Sequence, residues 1–392
     1  MQPIFHALVL NLHQPAGNLE HLLAERPWEA KEILFALDRM PRALWGYEQQ
    51  ARVHLSLSGT LLETLANPDF QANVYGIVKC GDMLWHLQNN KIFNILGTAY
   101  YHPVLPLIPK QDWDEQLTRW QQFARHLFHR SHFPGFWCPE MSFSMELIPS
   151  LKKAGYRYVI VDSEYVVPLD PMSWQELRYR PHIAQYQGEE IIVVVRDRQL
   201  SDAQESGMEF EWFANELHQR TQHCDFEPLI TTCSDGDNGG WFRNVNPSAN
   251  FWYYFYHNLL NNLREGLSTI QPTFIDDYLD KYGAYGRVYV RTAAWNTGEH
   301  SGLGFVQWTG SQTQREALQR IKQASTHFHA VQDRLKKLEN PTPELYQRLE
   351  QAHWRLLRAE TSCHFFWGDT WVPRCHTDLD EMWYLLQQLE EE

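Results

Sequence analysis

The chain has 392 residues and a formal net charge of -14, and 14% of its residues are aromatic, including 16 Trp. This length can bury a core without covalent cross-links, and the acidic balance argues against nucleic acid as a partner, because phosphate recognition uses clustered Lys and Arg. Six irregularly spaced cysteines without a CxxC pair indicate neither a disulfide framework nor a zinc ribbon.

The N-terminal stretch MQPIFHALVLNLHQP lacks the basic region and the uninterrupted apolar run of a signal peptide. Nothing else in the sequence approaches a membrane span, so we expect a cytoplasmic protein without a membrane partner. Many Trp side chains with few cations suit a neutral sugar, because flat rings stack on the apolar faces of sugars. A purely structural role for the same rings is the alternative.

Short β-prone runs recur along the chain, each followed by a helix-like segment. The runs are IFHALVLNL (4–12), ARVHLSL (51–57), KIFNILG (91–97), PGFWCP (134–139), YRYVIVD (156–162), EIIVVVR (190–196), PLITTCS (228–234) and an eighth candidate, GRVYVRT (286–292). They are nearly continuous in apolar residues, which is typical of parallel strands buried on both faces. Seven or eight such strands predict a (β/α) barrel, and no GxGxxG follows the first run to indicate a dinucleotide fold.

One strand, helix, strand unit can be followed residue by residue. In SMELIPSLKKAG (144–155), Ser144 can cap a helix, two Lys lie in its last turn, and Gly155 ends it before the strand YRYVIVD. The repeated pattern is therefore one of alternating strands and helices.

From about Gly302 the sequence changes to long amphipathic segments. These are TQREALQRIKQASTHFHAVQDRLKKLEN (313–340), PELYQRLEQAHWRLLRAE (343–360) and DLDEMWYLLQQLEEE (378–392). Thr342 and Pro343 suit the cap and first position of the second helix. We expect a catalytic barrel domain over 1–300 and a helical domain over 301–392 that packs on the barrel.

Polar residues follow nearly all the apolar runs. They are His13, Gln14, Ser58, Thr98, His102, Glu140, Asp162, Arg196, Asp235 and Asp237. Because catalytic groups of a parallel barrel lie at the C-terminal ends of its strands, we expect these side chains to converge on one mouth. A lone His at a strand end is often a hydrogen-bonded core residue. For His13 and His102, a structural role in the core and a role in ligand binding therefore both stay open.

Two carboxylates stand out by their surroundings. Glu140 follows Trp137 in FWCPEMSFS, and Asp235 opens the Gly-rich turn SDGDNGGW ahead of Trp241. Retaining glycoside cleavage uses two such carboxyl groups about 5–5.5 Å apart, one as nucleophile and one as general acid/base. The structural alternatives are a helix cap or ion-pair partner for Glu140 and a turn former for Asp235.

Other motifs of catalytic sites are missing from the sequence. There is no HExxH, GxSxG or P-loop, which argues against zincins, hydrolases with a nucleophile elbow and nucleotide enzymes. Three His in HLFHRSH (126–132) are explained as well by a solvated helix face as by a metal site. We expect no metal and no cofactor.

The ordered stretches LNLHQP, GTAYYHPVLPL, GFWCPE, SDGDNGGW and AETSCHFFWGDTW resemble the five conserved regions of glycoside hydrolase family 57 and span nearly the whole chain. The resemblance implies an incomplete (β/α)7 barrel of the TIM type followed by a helical bundle. It also implies retaining action on α-glucans or malto-oligosaccharides, the expected substrate partner. Hydrolysis and transfer both stay open.

The resemblance further implies roles for particular residues. Glu140 would be the nucleophile and Asp235 the general acid/base. Sugar-binding candidates are His13, Gln14, His102, Trp137, Asp237, Trp241 and, from the helical part, Trp367. Asn11 stands at a position where many members have His, and Cys363 stands where several subgroups have an acidic residue. Both differences affect substrate binding more than the two catalytic carboxylates.

Two rival functions remain. A carbohydrate-binding protein on a retired scaffold would keep the Trp residues and lose the chemistry. A metal-dependent polysaccharide deacetylase would need an acidic pair at the first strand, which here ends in LNLHQP without an acid.

Overall fold

The computed structural model describes residues 3–295, 297, 304–338 and 342–390. Within them the strands are β1 Ile4–Leu12, β2 Val53–Leu57, β3 Phe93–Leu96, β4 Gly135–Trp137, β5 Tyr158–Asp162, β6 Val166–Pro168, β7 His182–Tyr186, β8 Glu189–Arg196, β9 Leu229–Asp235, β10 Ile270–Pro272 and β11 Val288–Val290. The α-helices are α1 Asn18–Glu25, α2 Pro27–Ala43, α3 Gly59–Ala66, α4 Pro68–Val74, α5 Cys80–Asn89, α6 Lys110–Phe128, α7 Ile148–Lys153, α8 Trp174–Tyr179, α9 Arg198–Glu205, α10 Phe210–Thr221, α11 Gly239–Arg243, α12 His257–Arg264, α13 Ile275–Tyr282, α14 Val306–Thr309, α15 Gln312–Leu335, α16 Pro343–Ala359, α17 Cys363–Phe366 and α18 Val372–Glu390.

Seven parallel strands form a nearly closed barrel, which confirms the predicted fold. The order around the barrel is β1, β2, β3, β4, β5, β8 and β9, with β9 paired again to β1. A single bridge between Gly97 and Phe136 joins β3 to β4, and β8 meets β9 at Arg196 and Thr231. These two seams are the weakest pairings of the barrel.

Alternation along each strand decides what faces the barrel interior. In β1, Leu8 and Leu10 pack in the large cluster formed with the surrounding helices, whereas Ala7 and Val9 belong to a separate inner cluster. Period-two alternation therefore turns Asn11 inward at the end of β1. In β9, Cys233 lies in the inner cluster, so Asp235 also faces inward at the mouth.

The eighth candidate run was wrongly counted among the possible barrel strands. Its β11 core pairs antiparallel with the short strand β6, outside the ring of parallel strands. The physical reason is visible in its burial, because Tyr289 is exposed between buried Val288 and Val290. Such alternation is typical of an antiparallel ribbon with one solvated face.

The helices predicted near the C-terminus form, although α18 begins six residues earlier than its predicted segment. Thr342 accepts a hydrogen bond from Leu345 N at 3.4 Å, as expected of the cap of α16. Apolar residues of α15, α16 and α18 share one core, and Arg119 of α6 pairs with Glu350 at 2.8 Å. The predicted domain boundary at 300/301 lies outside the described residues and stays a prediction.

Gly97→Ala should lower the free energy of unfolding, because the added Cβ would lie 2.3 Å from the Tyr156 ring at the β3/β4 seam. Tyr156 is fully buried, so it has little room to move, and overpacking of this kind costs about 1–3 kcal/mol or more. Urea titration measures the change. Gly76→Ala is the control, since nothing lies within 4 Å of its added Cβ. Equal losses in both variants would contradict tight packing at the seam.

Candidate active site

The ends of β4 and β9 bring two carboxylates to one cleft of about 710 Å³. Glu140 lies in a tight turn, Pro139–Met141, directly after β4, and its backbone is left-handed with φ 57° and ψ 18°. Asp235 is the last residue of β9. Burial raises the pKa of both groups, and the charge of Asp235 adds to the rise at Glu140, so the two carboxylates interact.

Glu140 is 7% exposed, and its carboxylate receives two hydrogen bonds from distant parts of the chain. Trp295 Nε1 donates to Oε2 at 2.9 Å, and Ser362 Oγ donates to Oε1 at 2.7 Å. His102 Nε2 lies 3.8 Å from Oε1. Burial raises the pKa of Glu140 to about 7, and the Ser362 and Trp295 donors oppose this rise by stabilising the ionised form.

The Asp235 carboxylate has a more polar environment. Asn11 Nδ2 donates to Oδ1 at 2.9 Å, and Asn238 Nδ2 donates to Oδ2 at 3.4 Å. Burial raises its pKa, whereas the two amides and then Arg196 and Arg243 lower it. The two carboxylates thus share a cleft but differ in their partners.

Asp237 lies beside this pair and is held by Gln14. Gln14 Nε2 donates to Asp237 Oδ2 at 2.8 Å, and Asn18 in turn donates to Gln14 Oε1 at 2.8 Å. Burial and then the charge of Asp235 raise the pKa of Asp237 to about 7. Its Oδ1 atom is buried without a hydrogen-bond partner among the described residues.

His13 and His102 stack face to face in the cleft, with ring centroids 4.0 Å apart and an interplanar angle of 7°. Burial lowers the pKa of His13 to about 3 and that of His102 well below its usual range. Both rings are therefore neutral at pH 7. Cys363 Sγ lies 3.3 Å from His13 Nε2, which connects the helical part to the end of β1.

The model of Glycosyl hydrolase family 57 matches residues 8–291. This chain belongs to that family. Among curated relatives, an α-amylase of Pyrococcus horikoshii is 27% identical over 192 residues, which are 48% of this chain and 27% of that protein. A 4-α-glucanotransferase of Thermococcus litoralis is 28% identical over 203 residues, or 51% and 28% of the two chains. The matched segments thus span only about a quarter of each relative's length.

Solved structures share the fold of this family 57 chain. The 4-α-glucanotransferase of Thermococcus litoralis has a TM-score of 0.69 at 20% identity, over 97% of this chain and 59% of the other. A family 57 branching enzyme of Thermococcus kodakaraensis has a TM-score of 0.75 at 14% identity, over 100% and 94%. At these identities the likeness supports the architecture and no particular reaction.

The three predicted sugar-binding Trp residues have different positions in this family 57 fold. Trp367 lines the cleft, is 56% exposed, and lies beside Trp371. Trp137 is buried in the inner cluster, with its ring 5.6 Å from that of Trp295. Trp241 packs against Phe251 in the outer core. Trp137 and Trp241 do not line the cleft, whereas His13, Gln14, His102, Glu140, Asp235, Asp237 and Trp367 do.

Two strand-end residues form a buried ion pair, and its Arg196 lines the cleft. Arg196 Nη1 lies 2.7 Å from Asp162 Oδ2, and Arg198 Nε lies 3.0 Å from Oδ1 of the same carboxylate. Arg198 Nη1 also donates to the backbone oxygen of Trp295 at 2.9 Å. The buried Asp162 carboxylate and both guanidinium groups are therefore paired, as their burial requires. Arg198 in addition supports the loop that carries Trp295.

Sequence reasoning missed Trp295, Trp371 and Ser362. Ser362 belongs to AETSCHFFWGDTW, where attention to that region could have found it, but nothing local to Trp295 indicates contact with Glu140. The described residues contain no group of three His, Cys, Asp or Glu side chains placed to hold a metal ion. Among those residues, no helix is both long and apolar enough to cross a bilayer.

Glu140→Gln should stabilise the protein at pH 8 but not at pH 4. The pKa of Glu140 rises from 4.5 to about 7 on folding, so between these values the folded state holds a proton that the unfolded chain has released. The stability of the parent therefore falls as pH rises through this window, and the amide avoids a loss of up to about 3 kcal/mol. Urea unfolding at pH 4, 6 and 8 measures the difference.

The control for this experiment is Glu25→Gln, which removes an exposed carboxylate. It should not reproduce the pH-dependent gain. If Glu140→Gln raised the free energy of unfolding by the same amount at all three pH values, the result would contradict a pKa of Glu140 that burial has raised.

Proposed function

We propose that the protein is a retaining enzyme that cleaves or transfers α-glucan chains, with Glu140 as nucleophile and Asp235 as general acid/base. One observation carries this proposal: two carboxylates at the ends of β4 and β9 line one cleft and have different hydrogen-bond partners. Retaining glycosidases need such a pair, because one carboxylate must attack while the other carries the proton.

In the first step, a Glu140 oxygen bonds to the anomeric carbon while the glycosidic C–O bond breaks, and Asp235 gives its proton to the leaving oxygen. In the second step, Asp235 takes a proton from water or from a sugar hydroxyl, whose oxygen displaces Glu140 from the anomeric carbon. The Trp295 and Ser362 donors support Glu140 as the attacking group, since they stabilise its ionised form and orient it.

The polar groups around the pair suit a neutral sugar. Asp237 and Gln14 line the cleft with polar groups, and the neutral His13 and His102 rings offer nitrogen atoms without adding charge. Trp367 provides an exposed ring at the same cleft for stacking on a sugar face. The α-glucan class is inferred from relatives named α-amylase and 4-α-glucanotransferase.

Glu140→Gln should abolish product formation from maltoheptaose and from amylose, because the amide cannot form the glycosyl-enzyme. Asp235→Asn should lower kcat on the same glucans by about 10²–10⁴-fold, the usual contribution of a general acid/base. With an α-glycosyl fluoride the first step of Asp235→Asn should be largely preserved, since fluoride leaves without a proton. Chromatography of the products and burst kinetics measure these effects.

Glucan products from Glu140→Gln would overturn the nucleophile assignment. A parent protein that binds amylose without any turnover would instead support a binding protein on a retired scaffold. Shorter oligosaccharides alone would indicate hydrolysis, whereas a mixture of shorter and longer chains would indicate transfer.

Trp367→Ala should raise KM for maltoheptaose by about tenfold and shift products from transfer toward hydrolysis, because an acceptor sugar loses its stacking ring. Trp212→Ala is a matched control: Trp212 is 44% exposed but does not line the cleft. Product ratios at several acceptor concentrations measure the effect. Equal KM values and product ratios for Trp367→Ala and the control would exclude Trp367 from the acceptor site.

A further inference from the structure

The segment between α16 and α17 brings a hydroxyl from the helical part to the Glu140 carboxylate. Thr361 forms an antiparallel bridge with Pro103, and Ser362 N donates to His102 O at 3.0 Å. The Ser362 side chain is fully buried, and its Oγ donates to Glu140 Oε1 at 2.7 Å. The backbone of this segment is thus fixed to the loop after β3 while its side chain reaches the end of β4.

From this geometry we infer that Ser362 is a positioning residue that fixes the Glu140 carboxylate for attack through the hydrogen bond between Oγ and Oε1. The inference rests on the proposed role of Glu140 as nucleophile. Trp295 Nε1 holds Oε2, so the two donors together restrict rotation of the carboxylate. Without Ser362 one oxygen would lose its direct donor in a site that admits little water.

A buried polar network holds the Ser362 segment in place. Glu360, two residues earlier, accepts a hydrogen bond from Gln116 Nε2 of α6 at 2.9 Å. Burial and then the adjacent Asp112 raise the pKa of Glu360 well above its usual range. Asp112 accepts from Ser325 Oγ of α15 at 2.5 Å. The barrel helix α6 and the helix α15 therefore anchor the segment that presents Ser362.

The charged and titratable groups facing Glu140 come from several elements. The charge of Asp235 from β9 raises its pKa, and the Cys363 thiol after α16 is close enough to have its own pKa raised in part by Glu140. His102, stacked on His13, is neutral because burial lowers its pKa. The donors that oppose the rise at Glu140 are Ser362 and Trp295, so loss of Ser362 moves the pKa of Glu140 upward.

The test is the pH profile of kcat/KM on maltoheptaose for the parent, Ser362→Ala and Ser362→Thr. Ser362→Ala should move the limb that follows ionisation of Glu140 upward by about one pH unit, the size expected for loss of one hydrogen bond to a charged acceptor. Ser362→Thr, which keeps a hydroxyl, should restore the limb. Ser311→Ala, which removes the cap of α15 in the same helical part, should leave the limb unchanged although it weakens that helix.

A second measurement needs no turnover. The stability cost of Ser362→Ala should grow as pH rises from 5 to 8, because the hydroxyl favours the ionised carboxylate, and should be independent of pH in the Glu140→Gln background. An unshifted limb, or a cost equal at all pH values in both backgrounds, would overturn the inference. If Glu140→Gln still forms products, the nucleophile proposal fails; if only the Ser362 shifts are absent, the positioning role fails alone.

Discussion

The structure depends on the burial of one carboxylate, that of Glu140. Removing a carboxylate from water is costly unless donors replace the lost hydration. Here the donors are Trp295 and Ser362, 155 and 222 residues away in the sequence. The cleft is therefore complete only when the turn after β4 that carries Glu140, the loop with Trp295 and the helical part are all packed together.

The same two donors also stabilise strained backbone. Glu140 and His102 both have φ 57°, a left-handed conformation that non-glycine residues rarely adopt and that costs about 1–3 kcal/mol each. Trp295 N donates to Glu140 O at 3.0 Å, and Ser362 N donates to His102 O at 3.0 Å. Each donor residue thus contributes one side-chain bond to the carboxylate and one backbone bond to a strained turn. The orientation of the Glu140 carboxylate and the stability of the turns at Glu140 and His102 therefore depend on the same two residues.

The sequence predicted the barrel well because its signal is local. Seven continuous apolar runs become seven parallel strands, and polar residues at their ends, such as Glu140 and Asp235, meet at one mouth as the topology requires. The run around β11 was a wrong candidate for a barrel strand because its apolar content resembles that of the barrel strands. Its pairing with β6 is visible only in the folded structure. Similarly, Trp137 and Trp241 adjoin the carboxylates in sequence but turn into the core.

Contacts between distant segments could not be predicted from one sequence. No local pattern pairs Glu140 with Ser362 or Trp295, and a serine before a cysteine in AETSCHFFWGDTW has no signature of its role. Alternation within β1 and β9 could have placed Asn11 beside Asp235, since both residues face inward. That inference would have required the register between the two strands, which is a property of the folded sheet.

The order of the donors along the chain has a consequence for biosynthesis. Chains emerge from the ribosome from the N-terminus, and their early parts begin to fold first. Ser362 is synthesised 222 residues after Glu140. A nascent chain can therefore assemble much of the barrel while its cleft still lacks a donor for Glu140 Oε1. The order of synthesis thus delays completion of the cleft until nearly all of this sequence has been translated.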